Sequence, residues 1–377
     1  MKIALLGTRG IPARYGGFET FAEELCTRLV ERGHEPTVYG RTNNVGRLGP
    51  LYRGVRLVVL PTVSHKYFDT LVHTCLATFH LMFHRHHVAL FCNGANAVFT
   101  VLPRLLGMPT VLNVDGLDRQ RKKWNALARS WYRMSEWLTK WFPTDVVADA
   151  AVIQKYYAET YGRKTHLISY GAPAHKVLTK AALDRLGLDP GGYFLYVSRM
   201  EPENNALLVV RAFEQTTVPH KLVMVGDAPY AKDYIRRVQS TDDPRIVFTG
   251  AVFGDGYHEL QSHCLAYIQA TEVGGVHPAL IEAMGRDAPV LFLDTPENRE
   301  VAGGVGLRYS KDERSLASVM ESVASMSTDQ LADLSKASHE RVRKRYDWET
   351  VVDRYEELFC QLAGVSHSHE AAPRKAR

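Results

Sequence analysis

Four glycines before a helical pattern could form a ligand-binding loop near the start of this sequence. They are Gly7, Gly10, Gly16 and Gly17, and an amphipathic pattern follows from Phe18 to Arg32. Glycine lets a backbone approach a ligand closely, and the N–H groups at a helix start attract anions. The spacing matches neither GxGxxG nor a P-loop, which disfavours a nicotinamide cofactor and P-loop chemistry. A strand–helix connection that binds nothing is the alternative interpretation.

A single arginine, Arg199, stands two residues after the predicted strand Tyr193–Val197. At the carboxyl end of a parallel strand, it would lie where α/β proteins bind their ligands. Its planar guanidinium suits the oxygens of a diphosphate. A surface ion pair of Arg199 with Glu201 or Glu203 is the alternative interpretation.

A second glycine pair, Gly274-Gly275, leads into a helix that we expect to begin at Pro278. Backbone N–H groups at that helix start could hold phosphate oxygens. Glu282, about one turn into the helix, could accept hydrogen bonds from a ribose diol. The alternatives are a capping role for His277 and an exposed i,i+4 pair of Glu282 with Arg286.

The elements that must position these residues alternate between strands and helices in two successive runs. This alternation predicts two doubly wound α/β domains with parallel sheets. Glycine and proline interrupt the pattern at Tyr170–Pro173, which gives predicted domains at 1–172 and 173–346, a terminal helix at 347–363 and a disordered tail at 364–377. The predicted strands include Val55–Leu60, Val88–Cys92, Asp145–Ala148, Tyr193–Val197, Lys221–Val225 and Ala266–Ile268, and the predicted helices include Asn205–Glu214, Tyr230–Gln239, Gly256–His263 and Trp348–Leu362.

Composition fits an ordinary soluble protein with more than one domain. Of the 377 residues, 45% are hydrophobic and 23% charged, which excludes collagen-like, disordered and polytopic membrane classes. The five cysteines are widely spaced without a CxxC, so we expect a cytoplasmic protein without disulfides or a zinc ribbon. Residues 1–172 hold 22 basic and 12 acidic residues, whereas the remainder has an acidic excess. The two halves are therefore expected to meet different partners.

These segments resemble the family-four, retaining glycosyltransferases of the GT-B fold, and within them a rhamnosyltransferase-like subgroup. The resemblance covers nearly the whole chain. Two specific segments carry it, Leu6–Thr20 and Gly274–Met284. It implies two Rossmann-like domains facing a central cleft, the first receiving the acceptor and the second binding a nucleotide sugar. Further similar segments lie at 113–118, 123–124, 202–205 and 225–230.

The resemblance also implies a role for each candidate residue. Arg199 would neutralise the leaving diphosphate, Asp115 would lie beside the reacting sugar, and Glu282 would hold the nucleotide ribose. Backbone near 250–253 would meet the base. The implied donor-binding residues are Gly16, Gly17, Asn204, Val252, Gly274, Gly275, Val276, His277, Pro278 and Glu282, and the implied catalytic residues are Asp115 and Arg199.

Two positions depart from the pattern of the wider family. Asn204 stands where the family usually has a lysine that completes the phosphate clamp. Gly274 stands where the first glutamate of a Glu–seven residues–Glu element is usual, and Glu272 lies two residues earlier. Both departures are typical of the subgroup that the sequence resembles most.

Transfer from a nucleotide sugar requires a stabilised diphosphate leaving group. No DxD pair stands at a plausible metal site, because Asp242-Asp243 lies in a loop. We therefore expect no metal and no cofactor besides the nucleotide-sugar co-substrate, with Arg199 and helix-terminal N–H groups in place of Mg²⁺. Glycoside hydrolysis by Asp115 and Glu272 is a disfavoured alternative.

Four of the five tryptophans fall in one basic window that we connect with the acceptor. Such a mixture suits an anionic membrane surface, whereas Trp137 and Trp141, four apart on a helix, could instead belong to the core. RNA binding is less favoured, because no nucleic-acid motif occurs. The cluster 84–87, His-Arg-His-His, could suggest a metal, but a polar helix end explains it better. The residues assigned to the acceptor or membrane side are Arg121, Lys122, Lys123 and Trp124.

The sequence therefore predicts a metal-independent, retaining glycosyltransferase. Its donor would be a nucleotide-diphosphate sugar, with dTDP-rhamnose and UDP or GDP sugars as candidates. Its acceptor would be a hydroxyl of a lipid-linked saccharide in cell-surface polysaccharide synthesis. The alternatives are transfer to a small soluble acceptor in secondary metabolism and a non-catalytic nucleotide-sugar-binding or membrane-scaffold protein. We expect a cytoplasmic protein, peripheral at the inner face of the membrane, with no nucleic-acid partner.

Overall fold

The protein divides into two compact units. The computed structural model describes residues 1–13, 16–46, 49–65, 68–121, 124–228 and 231–365. Unit 1 comprises 1–119, 124–170 and the C-terminal stretch from Trp348, and unit 2 comprises 120–123 and 171–347. The first unit thus ends two residues before the predicted boundary, and a short stretch of the predicted first domain groups with unit 2. The predicted disordered tail lies outside the described residues from position 366 onward.

Unit 1 is built on one eight-stranded sheet. Its strands are β1 Lys2–Leu6, β2 Glu35–Arg41, β3 Leu51–Tyr52, β4 Val55–Leu60, β5 Val88–Cys92, β6 Thr110–Val114, β7 Asp145–Ala148 and β8 His166–Leu167. They lie in the order β3-β4-β2-β1-β5-β6-β7-β8, and every pair is parallel except β3 with β4. Strands β5 and β6 are buried along their whole length, as continuous apolar runs require in a sheet covered on both faces.

The helices of unit 1 lie on two faces of this sheet. They are α1 Gly17–Glu31, α2 Thr42–Val45, α3 Asp69–Met82, α4 Val101–Leu105, α5 Ala126–Leu138 and α6 Ala151–Tyr161. From β4 to β5, and on to β6, β7 and β8, the chain crosses the sheet in one direction, so right-handed connections place α3, α4, α5 and α6 on one face. The step from β1 to β2 runs the opposite way, which places α1 on the other face.

Unit 2 is built on a six-stranded, all-parallel sheet in the order β11-β10-β9-β12-β13-β14. The strands are β9 Tyr193–Val197, β10 Lys221–Val225, β11 Ile246–Gly250, β12 Ala266–Gln269, β13 Val290–Leu293 and β14 Leu307–Tyr309. The helices are α7 Ala181–Leu186, α8 Ala206–Glu214, α9 Lys232–Val238, α10 Asp255–His263, α11 Pro278–Gly285, α12 Pro296–Ala302, α13 Glu313–Ala324 and α14 Thr328–Arg345.

The two predicted doubly wound α/β units are confirmed. Most predicted strands agree with the observed ones to within a residue, but α12 and β14 were not predicted. The predicted helix Tyr230–Gln239 begins later, at Lys232, and Tyr230 itself lies outside the described residues. Among the described residues, no helix combines the length and the apolar character needed to cross a membrane.

The last helix, α15 Trp348–Ala363, belongs to unit 1 and packs against α1. Arg32 donates a 2.7 Å hydrogen bond to Glu356, and Glu356 also bonds to His34 at 2.8 Å. Asn113 of β6 donates a 2.8 Å hydrogen bond to the hydroxyl of Tyr355. Charged contacts with α1 and a buried amide–hydroxyl bond with the sheet therefore hold the C-terminal helix in place.

Replacement of Glu356 by Gln tests this attachment. Burial alone would raise the pKa of Glu356, but hydrogen bonds from His34 and Arg32 outweigh it and lower the pKa to about 2. A lowered pKa stabilises the fold above the ordinary value of about 4.3, and this stabilisation is lost as the pH falls towards 2. We expect Glu356→Gln to destabilise unit 1 by about 1–3 kcal/mol at neutral pH.

The pH dependence gives the control. In urea unfolding, the difference between wild type and Glu356→Gln should be constant above pH 5 and shrink below it, because Glu356 of the unfolded wild type then takes up a proton while the folded state keeps the carboxylate ionised. Asp353→Asn removes a more exposed partner of Arg32 and should cost less. A difference that stayed constant down to pH 3 would contradict this account.

Candidate active site

The glycine-rich loop after β1 serves chain packing at two of its glycines. Gly7 has φ 88°, and a Cβ there would lie 2.3 Å from the carbonyl oxygen of Cys92. Gly10 has φ 101°, and its Cβ would lie 2.7 Å from the Cα of Gly40. Both positions therefore require glycine for close backbone approach, which agrees in part with the interpretation that needs no ligand.

The other two glycines form the start of α1. Gly16 is the N-cap residue, Gly17 is the first helical residue, and no side chain caps this end among the described residues. Glu19 is buried and accepts a 2.9 Å hydrogen bond from the N–H of Arg9, and Glu23 accepts one of 2.7 Å from Ala13. These two carboxylates tie the loop to the helix, and sequence reasoning gave neither of them a role.

Asp115 lies at the same edge of the sheet as this loop. It follows β6, which pairs with β5, and β5 pairs with β1. Asp115 is half-buried, and its charge adds to burial in raising the pKa values of Cys92, Tyr157 and Tyr170. A partly accessible carboxylate thus stands among buried neutral acids at the carboxyl ends of the central strands.

Two of the four residues assigned to the acceptor or membrane side, Arg121 and Trp124, belong to the described part of the chain. Arg121 belongs to the stretch that groups with unit 2, and Lys122 and Lys123 lie outside the described residues. Trp124 belongs to unit 1 and is half-buried, with its ring centroid 5.6 Å from that of Tyr132. Trp131 donates a 3.1 Å hydrogen bond to the carbonyl of residue 95.

Arg199 lies in the loop after β9 and is half-buried. Within the described part of the chain, its guanidinium has neither an ion-pair nor a hydrogen-bond partner. The alternative of a pair with Glu201 or Glu203 is therefore not what the structure contains. No carboxylate of the described residues neutralises this positive charge at the carboxyl end of a parallel strand.

Asn204 holds the backbone that carries Arg199. Its side-chain nitrogen donates a 2.7 Å hydrogen bond to the Arg199 carbonyl, and its own carbonyl accepts one of 2.7 Å from Tyr196. The residue is buried. Asn204, which occupies the position of the family's lysine, therefore stabilises the loop through buried hydrogen bonds. Its contact with a donor stays a prediction.

Asn205 joins the β9 loop to the β12 loop. Its backbone is left-handed, with φ 58°, and its side chain donates 2.8 Å hydrogen bonds to the Ala270 carbonyl and to Glu272. Lys311 forms an ion pair with the same Glu272 carboxylate. The sequence pattern assigns no role to Asn205. It assigns none to Lys311 either, because Lys311 follows β14, a strand that the sequence did not predict.

The Gly274-Gly275 turn is shaped by the ring of His277. A Cβ on Gly274 would lie 2.6 Å from Nε2 of that ring, so the ring fills the space that a glutamate side chain would enter. His277 Nδ1 lies 2.8 Å from Oδ1 of Asn298. The Asn298 amide nitrogen donates to two carbonyls, so its oxygen accepts and Nδ1 of His277 carries the proton. Burial lowers the pKa of His277 to about 4, and the ring is neutral at pH 7.

The start of α11 is open to an anion. His277 is its N-cap residue, Pro278 is its first residue, and no side-chain cap is present among the described residues. Pro278 has no N–H, and the Leu280 N–H donates a 3.0 Å hydrogen bond to the His277 carbonyl. Ala279 is therefore the first-turn residue whose N–H has no partner among the described residues, and it lies at the positive end of the helix dipole. Val276, just before the N-cap residue, is buried.

Glu282 is held one turn into α11 by a tyrosine. Tyr257 donates a 2.6 Å hydrogen bond to Oε2 of Glu282, and Gln261 donates one of 2.8 Å to the Tyr257 hydroxyl. Burial, and then the Glu282 charge, raise the pKa of Tyr257 well above its ordinary value. Arg286 is buried and donates a hydrogen bond to the carbonyl of His175, so the helix face that the alternative interpretation assigned to solvent is not exposed at Arg286.

Two remaining candidates lie apart from these loops. Val252 follows β11 at the sheet edge and is half-buried against α10, where a Cβ on Gly256 would lie 3.3 Å from it.

At the end of α3, Nδ1 of His84 lies 2.8 Å from the carbonyl of His80, and Nδ1 of His86 lies 2.8 Å from that of His84. Among described residues, no three His, Cys, Asp or Glu side chains converge as metal ligands. Metal independence stays a prediction.

The chain is similar to known glycosyltransferases along most of its length. Residues 15–175 match the family model Glycosyltransferase Family 4, and residues 191–326 match the model Glycosyl transferases group 1. A sucrose-phosphate synthase from Thermosynechococcus elongatus is 18% identical, with a TM-score of 0.79 over 97% of this chain and 100% of that one. HepE from Anabaena, in complex with UDP-glucose, is 17% identical, with a TM-score of 0.79 over 96% and 100%. These likenesses confirm the expected GT-B fold.

Substitution of Gly274 tests how the turn is built. We expect Gly274→Ala to destabilise unit 2 by about 1–3 kcal/mol, because the added methyl must displace the His277 ring. In the double variant with His277→Ala, the space is open, so adding Gly274→Ala should change the free energy of unfolding by less than about 0.5 kcal/mol. Urea unfolding followed by circular dichroism measures all three variants.

Gly49 provides the matched control for these three variants. A Cβ there would meet nothing within 4 Å, so Gly49→Ala should leave the unfolding midpoint nearly unchanged. Equal costs of Gly274→Ala in the presence and absence of the His277 ring would show that the ring does not define the turn.

Proposed function

We propose that this chain, which belongs to the glycosyltransferases of the GT-B fold, transfers a sugar from a nucleotide-diphosphate sugar to a lipid-linked saccharide. The main support for this proposal is the arrangement of two loops in unit 2. Strands β9 and β12 are parallel neighbours, so the Arg199 loop and the Gly274-Gly275 turn leave the sheet at the same edge. Within the described residues, the guanidinium has no partner and the helix start has no side-chain cap. The two are complementary ways to hold a diphosphate.

The leaving group is stabilised by charge and dipole in this proposal. Arg199 binds the diphosphate oxygens, and backbone N–H at the start of α11 donates a hydrogen bond to the oxygen on which negative charge develops as the glycosidic bond breaks. Glu282, fixed by Tyr257 at 2.6 Å, accepts hydrogen bonds from the ribose hydroxyls. The loop containing Val252 meets the base. No metal is required, because fixed cations and dipoles supply the stabilisation.

The sugar transfer itself retains the anomeric configuration in this proposal. The acceptor hydroxyl attacks from the face that the diphosphate leaves, and a leaving-group oxygen takes its proton, so no strong general base is needed. Asp115 stabilises positive charge on the sugar ring or orients the acceptor, and the open start of α1 at Gly16-Gly17 supports the donor phosphates or sugar. The support for this role is the position of Asp115, half-buried directly after β6 at the carboxyl edge of a parallel sheet, where α/β proteins bind their ligands.

The donor is proposed from the chemistry of the site and from the relatives. HepE from Anabaena was solved with UDP and glucose and with UDP-glucose, so UDP sugars are the first donors to test, beside dTDP-rhamnose and GDP sugars. The acceptor is a hydroxyl of a lipid-linked saccharide used in cell-surface polysaccharide synthesis. The protein would then work in the cytoplasm at the inner face of the membrane.

Replacement of Arg199 tests the diphosphate site. We expect Arg199→Ala to reduce turnover by roughly 10²–10³-fold, the effect of removing one group that stabilises charge in a transition state. Arg199→Lys should retain part of the activity, because it keeps the charge but loses the planar fork. Thermal shift and calorimetry with UDP, dTDP, GDP and ADP should show weaker binding for both variants.

Arg211 on α8 supplies the control for charge and fold. It is exposed and interacts with Glu214 at 3.5 Å, so Arg211→Ala should leave turnover and nucleotide binding unchanged. A folded Arg199→Ala variant with wild-type turnover would remove the clamp from the mechanism. Nucleotide binding without transfer to any acceptor would favour a binding or scaffold protein, and transfer to soluble acceptors alone would favour secondary metabolism.

A further inference from the structure

Unit 1 exposes large apolar side chains along three neighbouring helices. On α3 they follow helical spacing and form a stripe that extends roughly 22 Å along the helix. Phe83 is 83% exposed and Leu105 is 76% exposed, far more than a side chain packed inside the unit. We call the whole set the apolar face; it consists of Phe68, Leu76, Phe79 and Phe83 near α3, Leu105 and Leu106 at the end of α4, and Leu127, Met134, Trp137 and Trp141 on or next to α5.

These side chains belong to one continuous surface. The three helices lie on the same side of the sheet, and α3 contacts α4. Arg104 of α4 donates hydrogen bonds to the carbonyls of Trp141 and Phe142, the latter at 3.3 Å, which joins the end of α4 to the end of α5. Single exposed apolar residues are common on proteins, but a contiguous apolar surface marks an interaction site.

The charge around the apolar face has one sign. Residues 70–114 contain no aspartate or glutamate. On α3, α4 and α5 the acidic side chains are Asp69 and Glu136, and they are paired with Arg41 and Arg119, respectively. The exposed basic residues on or directly after α3 and α5 are Arg85, Arg129, Arg133 and Lys140. The face therefore offers apolar side chains within a positive surround that lacks an unpaired carboxylate among the described residues.

We propose that the apolar face docks unit 1 on a lipid bilayer that contains anionic phospholipid. Apolar side chains bury themselves at the headgroup–acyl boundary, while arginine and lysine bind the anionic headgroups. A second copy of the chain fits less well, because two such faces would bring like charges together.

The docking surface is independent of the donor site but suits a lipid-linked acceptor. Phe68 stands at the start of α3 and Leu127 at the start of α5, so the apolar face reaches the carboxyl edge of the sheet. Asp115 and the start of α1 lie at that edge. A lipid-linked saccharide held by the bilayer would therefore meet the edge of unit 1 that the proposed reaction uses.

Vesicle flotation of the full chain tests the proposal. The wild type should float with phosphatidylcholine vesicles that contain phosphatidylglycerol, float poorly with phosphatidylcholine alone, and lose binding as salt is raised. Phe83→Ser with Leu105→Ser should weaken binding by about tenfold for each side chain. Leu51→Ser with Leu178→Ser removes two side chains of similar exposure elsewhere and should leave vesicle binding unchanged.

A charge-matched pair of variants separates the basic surround from net charge. Arg85→Gln, Arg133→Gln and Lys140→Gln together should weaken binding roughly fivefold for each residue. Lys336→Gln, Arg343→Gln and Lys344→Gln change the net charge equally on α14 and should have little effect. Unchanged thermal midpoints establish that all variants are folded.

Three results would overturn the proposal. One is a wild type that floats with neither kind of vesicle. Another is equal loss of binding in the test and control variants. The third is a wild-type dimer that the Phe83 and Leu105 substitutions convert to a monomer without any vesicle binding. Because nucleotide binding by unit 2 is measured separately, failure of the docking proposal is distinguishable from failure of the proposed transferase activity.

Discussion

The parallel pairing of β9 with β12 is the constraint on which the candidate donor site depends. Both strands run in the same direction, so the loop with Arg199 and the turn at Gly274 leave the sheet at one edge. Asn205 fixes the two loops to each other through 2.8 Å hydrogen bonds to Ala270 and Glu272. Asn204, one residue earlier, holds the Arg199 carbonyl. The positions of the guanidinium and the α11 start thus follow from the sheet and two asparagines.

The fold was predictable from the sequence where burial imposes a clear pattern. Strands covered on both faces, such as Val88–Cys92 and Tyr193–Val197, appear as continuous apolar runs bounded by turn residues. Strand β14 was not predicted, because it has only three residues and places exposed Arg308 in its middle. Lys311, which follows that strand and pairs with Glu272, could not be placed for the same reason. The grouping of residues 120–123 with unit 2 has no counterpart in the local sequence pattern.

The candidate site was predictable as a set of positions, but not in the direction of its side chains. The resemblance points to Asn204 and His277 as donor-binding residues, whereas the structure gives both side chains partners inside the protein. The ring of His277 explains why residue 274 is glycine, a steric fact that spacing cannot express. The tryptophans of the basic window do not share one environment. Trp137 and Trp141 are half-exposed, whereas Trp131 donates a hydrogen bond to a backbone carbonyl. Phe83 and Leu105 of the apolar face stand in separate segments of the sequence, so no local pattern predicts that they share a surface with these tryptophans.

Binding of a nucleoside diphosphate by unit 2, between Arg199 and the start of α11, is the step on which the proposed mechanism rests. A crystal structure of the protein with UDP, or with the nucleoside diphosphate that gives the largest thermal shift, would locate the bound phosphates. We expect phosphate oxygens about 3 Å from the Arg199 guanidinium and from a backbone N–H at the start of α11. We also expect Glu282 to accept hydrogen bonds from the ribose. A nucleotide bound with its diphosphate away from both groups would rule out this mode of binding.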